Sequence, residues 1–248
     1  MPLLGLLFSA CSTLDGTVAT PPYIEGAEFV GNRACLDCHT NLVQIFPSSP
    51  HGRFHRDHDL RLAGQTGCES CHGAGSLHVK TGGAGPNKHI FNPGRDPGPC
   101  FQCHLETHAE FRLPQRHPVL EGKMTCVECH DPHGPDIMKP AGGLAMARRN
   151  ESCGNCHREQ TRPFVYEHEA MREGCGSCHH PHGSVNAALL VQRDANLCLK
   201  CHSQIGSETG GLLIGKVDHS SFVRLGGCWS AGCHSAVHGS NVNPKLLY

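Results

Sequence analysis

Apolar positions open this chain as one short run, Leu3 to Ala10, and no later segment approaches the roughly 20 apolar residues that span a bilayer. Beyond that run, hydrophobic positions are broken up by glycine and proline. Clusters such as Gly82 to Pro86 and Asn92 to Pro99 can continue neither a helix nor a strand. The pattern predicts short helical turns, long irregular connections and little or no β-structure.

Composition sharpens the difficulty. A chain of 248 residues usually buries a respectable apolar core. Here aromatic residues are 5 %, tryptophan occurs once, and 30 glycines and 17 prolines dilute the rest. The missing apolar surface has to come from elsewhere.

The cysteines say from where. Cys-x-x-Cys-His occurs seven times: Cys35/Cys38/His39, Cys68/Cys71/His72, Cys100/Cys103/His104, Cys126/Cys129/His130, Cys153/Cys156/His157, Cys175/Cys178/His179 and Cys198/Cys201/His202. A stretched eighth, with four residues between the thiols, is Cys228/Cys233/His234. Paired cysteines also serve zinc sites and disulfides, but neither needs a histidine straight after the second thiol. With 21 histidines in the chain, eight such coincidences have a chance on the order of 10⁻⁹. The motif is the attachment site of haem c: two thiols form thioethers with the porphyrin vinyls, and the histidine binds the iron. Eight large flat apolar macrocycles then stand in for the core.

A repeat supplies the second ligand for each iron. The motifs fall into four pairs whose starts lie 65, 53 and 45 residues apart, and each pair carries one histidine between its motifs and one after them. The resulting candidates are His51, His78, His117, His133, His168, His182, His219 and His238, eight histidines for eight irons. A Pro-His-Gly triplet marks His51, His133 and His182, and Val-His-Gly marks His238. Histidines on opposite faces of one haem need their Cα atoms roughly 12 Å apart, whereas three residues reach at most about 10–11 Å. His133 and His182, three residues after a proximal histidine, therefore ligate a neighbouring haem. His55, His58, His89, His108 and His180 are read as non-ligands, with His55 or His58 the alternatives to His51. Irons closed on both faces by imidazole leave no position for a substrate, and all-histidine ligation favours low potentials over those that methionine gives. Passing electrons is what such sites allow.

Charge and export complete the residue-level reading. The polypeptide carries a formal charge of −1, and sixteen propionates bring it to about −17 reduced and about −9 oxidised. No basic run favours nucleic acid. The seventeenth cysteine, Cys11, closes the opening apolar run after Ser9 and Ala10, as in a lipoprotein signal, and is the candidate lipidation site. Haem c is attached outside the bacterial inner membrane, so export is expected.

Beyond the motifs, the flanks resemble a known family. Met124 through Gly134, Tyr166-Glu167-His168, His179 through Asn186, Ser235 through Asn241 and Gly67 through Gly73 resemble the MtrA/DmsE-type multihaem cytochromes of porin–cytochrome conduits. The resemblance covers roughly residues 31 to 248 and implies a multihaem cytochrome c fold, an elongated chain of stacked haem pairs. It also implies that the protein sits in a periplasmic or outer-membrane complex with a β-barrel porin and other multihaem cytochromes. Family members usually carry ten haems, and the missing pair falls between Cys71 and Cys100. The expected organisation is a signal remnant at 1–11, a tether at 12–30 and an octahaem domain at 31–248. Within that domain the first haem pair occupies 31–96 and three further pairs 97–248. Alternatives are a free periplasmic electron carrier and a multihaem reductase with one five-coordinate iron.

Overall fold

Helices start and stop within one or two turns, because glycine, proline and the attachment motifs interrupt every apolar stretch. The structure, a computed structural model, describes residues 20–57, 67–134, 150–202, 204–206, 210–223, 227–229 and 231–247. Cys11, with the whole signal segment, and His58 lie outside the described residues, as does the side chain of His55.

Helices α1 (Arg33–Leu36), α2 (Thr40–Ile45) and α3 (Pro50–Asp57) come first. They are followed by α4 (Cys68–His72), α5 (Ser76–Lys80), α6 (Gly98–Phe101) and α7 (Leu105–Glu110). Further on lie α8 (Arg158–Thr161) and α9 (Asp194–Cys198), with 3₁₀ turns at Cys126–Glu128 and Cys175–Ser177. The small β-content takes two forms. Strand β1 (Tyr166–Glu167) pairs antiparallel with β5 (Gly239–Ser240), and β2 (Gln204–Gly206), β3 (Leu212–Ile214) and β4 (Val217–Asp218) form a meander.

The chain separates into two compact units that part between Leu105 and Glu106. In the first, the buried Glu69 carboxylate accepts hydrogen bonds from the amides of Val30 (3.0 Å), Gly31 (2.7 Å) and Gly75 (2.8 Å). A buried carboxylate is stable only when its lone pairs are met in this way, so Glu69 ties the chain on either side to helix α4. In the second unit, Ser184 and Ser240 play corresponding parts. Each hydroxyl is buried and accepts a backbone amide two residues on, from Asn186 (2.9 Å) and Val242 (3.2 Å).

The polypeptide's own core is small. Among the described residues, Ala74, Phe111, Val119 and Leu190 are the buried apolar side chains, while eighteen large hydrophobics stand exposed. Leu36 and Val127 are among the exposed, and both lie inside attachment motifs. Apolar surface left open at the motifs is what an added macrocycle would cover.

Candidate haem-binding site

Every attachment motif closes on itself in the same way. The histidine amide donates to the carbonyl of the first cysteine, at 2.9 Å in the motifs of His39, His104, His130, His157 and His179 and at 3.0 Å for His202. One such turn sets positions i, i+3 and i+4 on one face, so two thiols and an imidazole point the same way. The stretched motif reaches the same closure: the His234 amide still meets the Cys228 carbonyl at 3.0 Å. Its two extra residues are absorbed in a turn closed by the Gly232 amide on the Trp229 carbonyl (2.9 Å).

None of the sixteen motif cysteines is in a disulfide. Burial raises the thiol pKa of Cys35, to about 12, with the nearby Cys68 thiol adding to it. Burial is also the main cause for Cys68, Cys71, Cys129 and Cys178. The lesser causes trace neighbours, because Cys71 feels Cys103, Cys129 feels Cys156 and Cys178 feels Cys201. The motifs of His39 and His72, of His72 and His104, of His130 and His157, and of His179 and His202 are therefore neighbours. Two asparagines add further joints. Asn32, three residues before Cys35, accepts from the Cys68 amide at 2.8 Å, and Asn150, three before Cys153, accepts from the Cys175 amide at 3.1 Å.

The histidines meet in pairs across the chain. Ring centres lie 6.2 Å apart for His39 and His78, and 6.1 Å for His51 and His104. The same 6.1 Å separates His117 from His157, His130 from His182, His168 from His202 and His179 from His238. His219 and His234 are 6.5 Å apart. An iron bound by two imidazole nitrogens at about 2 Å, with about 1.2 Å from nitrogen to ring centre, separates the centres by about 6.4 Å. All seven separations fall close to that value. The residues fit haem, and each pair joins a motif histidine to a distal candidate from the repeat.

Pairing follows a rule that spacing alone did not reveal. Histidines between two motifs are passed forward: His51 to His104, His117 to His157 and His168 to His202. Trailing histidines are passed back, His182 to His130 and His238 to His179. His78 and His219, near the chain's two ends, meet His39 and His234 within their own pair. His72 Nδ1 donates to the Phe91 carbonyl (3.0 Å), and the His133 amide donates to Asp131 (3.0 Å).

Imidazole tautomers are set by the backbone. Nδ1 lies within hydrogen-bond distance of a main-chain carbonyl in His78 (Lys88, 2.7 Å), His117 (Pro181, 2.6 Å) and His168 (Val237, 2.8 Å). The same holds for His179 (Ala188, 2.7 Å), His219 (Val217, 2.9 Å) and His234 (Lys245, 2.9 Å). A carbonyl only accepts, so Nδ1 carries the proton and the Nε2 lone pair is left for a metal. The His238 pKa is lowered, first by burial and then by His179, His168 and His157.

The triplet glycines have a steric cause. A Cβ on Gly52 would strike the Phe46 carbonyl, and one on Gly183 would strike that of Glu110. Both glycines follow a paired histidine where another backbone presses close, so no side chain fits. Asn32, Asn150, Glu69 and Glu110 were absent from the sequence-derived site. An asparagine three residues before a motif was the one visible signal among them.

Comparison with known proteins agrees with this geometry. A model of the doubled CXXCH motif matches residues 117–162 and 168–207, each stretch beginning on a paired histidine, and a model of cytochrome c554 and c-prime matches residues 17–73. The multiheme cytochrome MtrA of Shewanella baltica is 33 % identical over 226 residues, 87 % of this chain and 60 % of that protein. The chain is similar to the MtrA-type multihaem c-type cytochromes. The C-type polyheme cytochrome OmcB of Geobacter sulfurreducens is more distant, 27 % identical over 229 residues, 82 % of this chain and 29 % of OmcB. The chain thus spans less than two thirds of the length of either relative.

Proposed function

We propose that this cytochrome is an electron-transfer protein, not an enzyme, and that it holds eight haems c. The thioether partners are Cys35 and Cys38, Cys68 and Cys71, Cys100 and Cys103, Cys126 and Cys129, Cys153 and Cys156, Cys175 and Cys178, Cys198 and Cys201, and Cys228 and Cys233. The motif histidines bind iron on one face, and His51, His78, His117, His133, His168, His182, His219 and His238 supply the other. When bound, each haem provides a one-electron iron couple. The residues' part is to close both axial positions, fix Nε2 toward the metal and hold neighbouring motifs within each unit in contact, which favours passage of electrons from site to site. The observation that carries this reading is the set of seven histidine pairs 6.1–6.5 Å apart.

Its setting is the periplasm and outer membrane, where it works with a β-barrel porin and other multihaem cytochromes. Among the described residues no helix is long and apolar enough to cross a membrane, so a path through the bilayer has to be sheathed by a partner barrel. Cys11 is a lipid-anchor candidate. Three measurements test the proposal. Intact mass of the exported protein should exceed that of the polypeptide by eight haems, and the ferric protein should show only low-spin electron paramagnetic resonance signals. A high-spin ferric haem would point to a reductase instead. Gentle detergent extraction should bring a barrel protein with it; its absence would leave a free periplasmic carrier.

A further inference from the structure

The second nitrogen of one paired histidine meets a side-chain carboxylate. Where His72, His78, His117, His168, His179, His219 and His234 face main-chain carbonyls, His182 Nδ1 lies 2.9 Å from Oε2 of Glu110. Glu110 ends helix α7, and its carbonyl is pressed against Gly183 with no room for a Cβ, so backbone packing fixes the register between carboxylate and imidazole. His180 Nε2 lies 3.5 Å from the other carboxylate oxygen, and the buried Phe111 packs against the His182 ring with centres 5.3 Å apart. The carboxylate is thus held from two sides, and water is displaced from one face of the ring.

A carboxylate accepts from Nδ1–H more strongly than an amide carbonyl does. It draws the proton away from the ring, gives the imidazole more imidazolate character and makes Nε2 the stronger donor. A stronger axial donor stabilises ferric over ferrous iron, and hydrogen bonding to the ligand is one of the levers by which a protein sets a haem's potential. We propose that Glu110 is a positioning residue that lowers the potential of the haem held by Cys126, Cys129, His130 and His182 below that given by a carbonyl acceptor.

The inference rests on the proposed His130/His182 ligation, and the test separates the two. Full-length holocytochrome is titrated potentiometrically and the visible spectrum resolved into components. The His182→Met variant replaces the ligand itself and should raise one component strongly, because methionine favours ferrous iron. If it moves none, the ligation is wrong. Glu110→Gln should raise that same component, with haem content and low-spin resonance retained, and Glu110→Asp should leave it nearer the wild-type value. Glu128→Gln removes a carboxylate from the same attachment motif without touching a ligand ring, and should shift it less. If His182→Met moves the component while Glu110→Gln leaves it in place, or moves it no further than Glu128→Gln, the role assigned to Glu110 is overturned.

Discussion

In the proposed ligation, single side chains act mostly as ligands or as joints that hold ligands. His117 shows the first role: its ring centre lies 6.1 Å from that of His157 and its Nδ1 is set by Pro181. Replacing His117 with alanine should leave one iron five-coordinate. One high-spin ferric signal should appear in the resonance spectrum while intact mass still reports every haem. Glu69 shows the second role. Glu69→Ala strips the acceptor from the amides of Val30, Gly31 and Gly75 and should cost about 1–3 kcal/mol, read as a lower denaturant midpoint of the holoprotein. The loss should fall on stability and leave the count of attached haems unchanged.

At the scale of elements, the unit of construction is a pair of extended segments that cross. Gln115 pairs with Ser184, and Tyr166 and Glu167 pair with Ser240 and Gly239. In each crossing a forward-passed histidine donates Nδ1 to the residue just before a back-passed one: His117 to Pro181, beside His182, and His168 to Val237, beside His238. Two histidines proposed as distal ligands of two different irons are thus fixed by one short backbone ladder. Gly183→Ala should force the segments of the first crossing apart and disturb the low-spin signal of the His130/His182 iron. Ring orientation is set at this scale too. His39/His78, His168/His202 and His179/His238 are stacked within 15–17°, whereas His51 and His104 cross at 89°. Crossed imidazole planes leave the iron's two π-type d orbitals nearly degenerate. The His104 haem should therefore give a low-spin signal with an unusually large principal g-value, and the three stacked pairs should give ordinary rhombic ones. Substituting His51 should abolish the large-g signal; its persistence would break that assignment.

Over the whole molecule, stability and function share one source. Four buried apolar residues among those described cannot hold a chain of this length, and eighteen exposed hydrophobics wait for a covering surface. The chain made without haem attachment should show no cooperative thermal transition, whereas the holoprotein should; circular dichroism on both forms decides it. Much of this was readable from residues alone. The eight motifs, their closure into single turns and the scarcity of strand all follow from local spacing and composition, because a thiol–thiol–imidazole triad needs only one helical turn. The choice of distal histidines also came from a repeat visible in sequence, and the Pro-His-Gly triplets marked three of them. Which iron each histidine meets was not readable. His182 lies three residues after His179 yet faces His130, and His51 faces His104 across 53 positions. Such pairings depend on how distant segments cross, as Gln115 crosses Ser184, and on where a backbone leaves room only for glycine, as Glu110 does at Gly183. The Asn32 and Asn150 joints and the Glu110 carboxylate lie beyond local pattern for the same reason. Sequence by itself determined the cofactor and its attachment, since those are short-range covalent chemistry; tertiary structure alone decided the wiring, since ligation across dozens of residues is settled by packing.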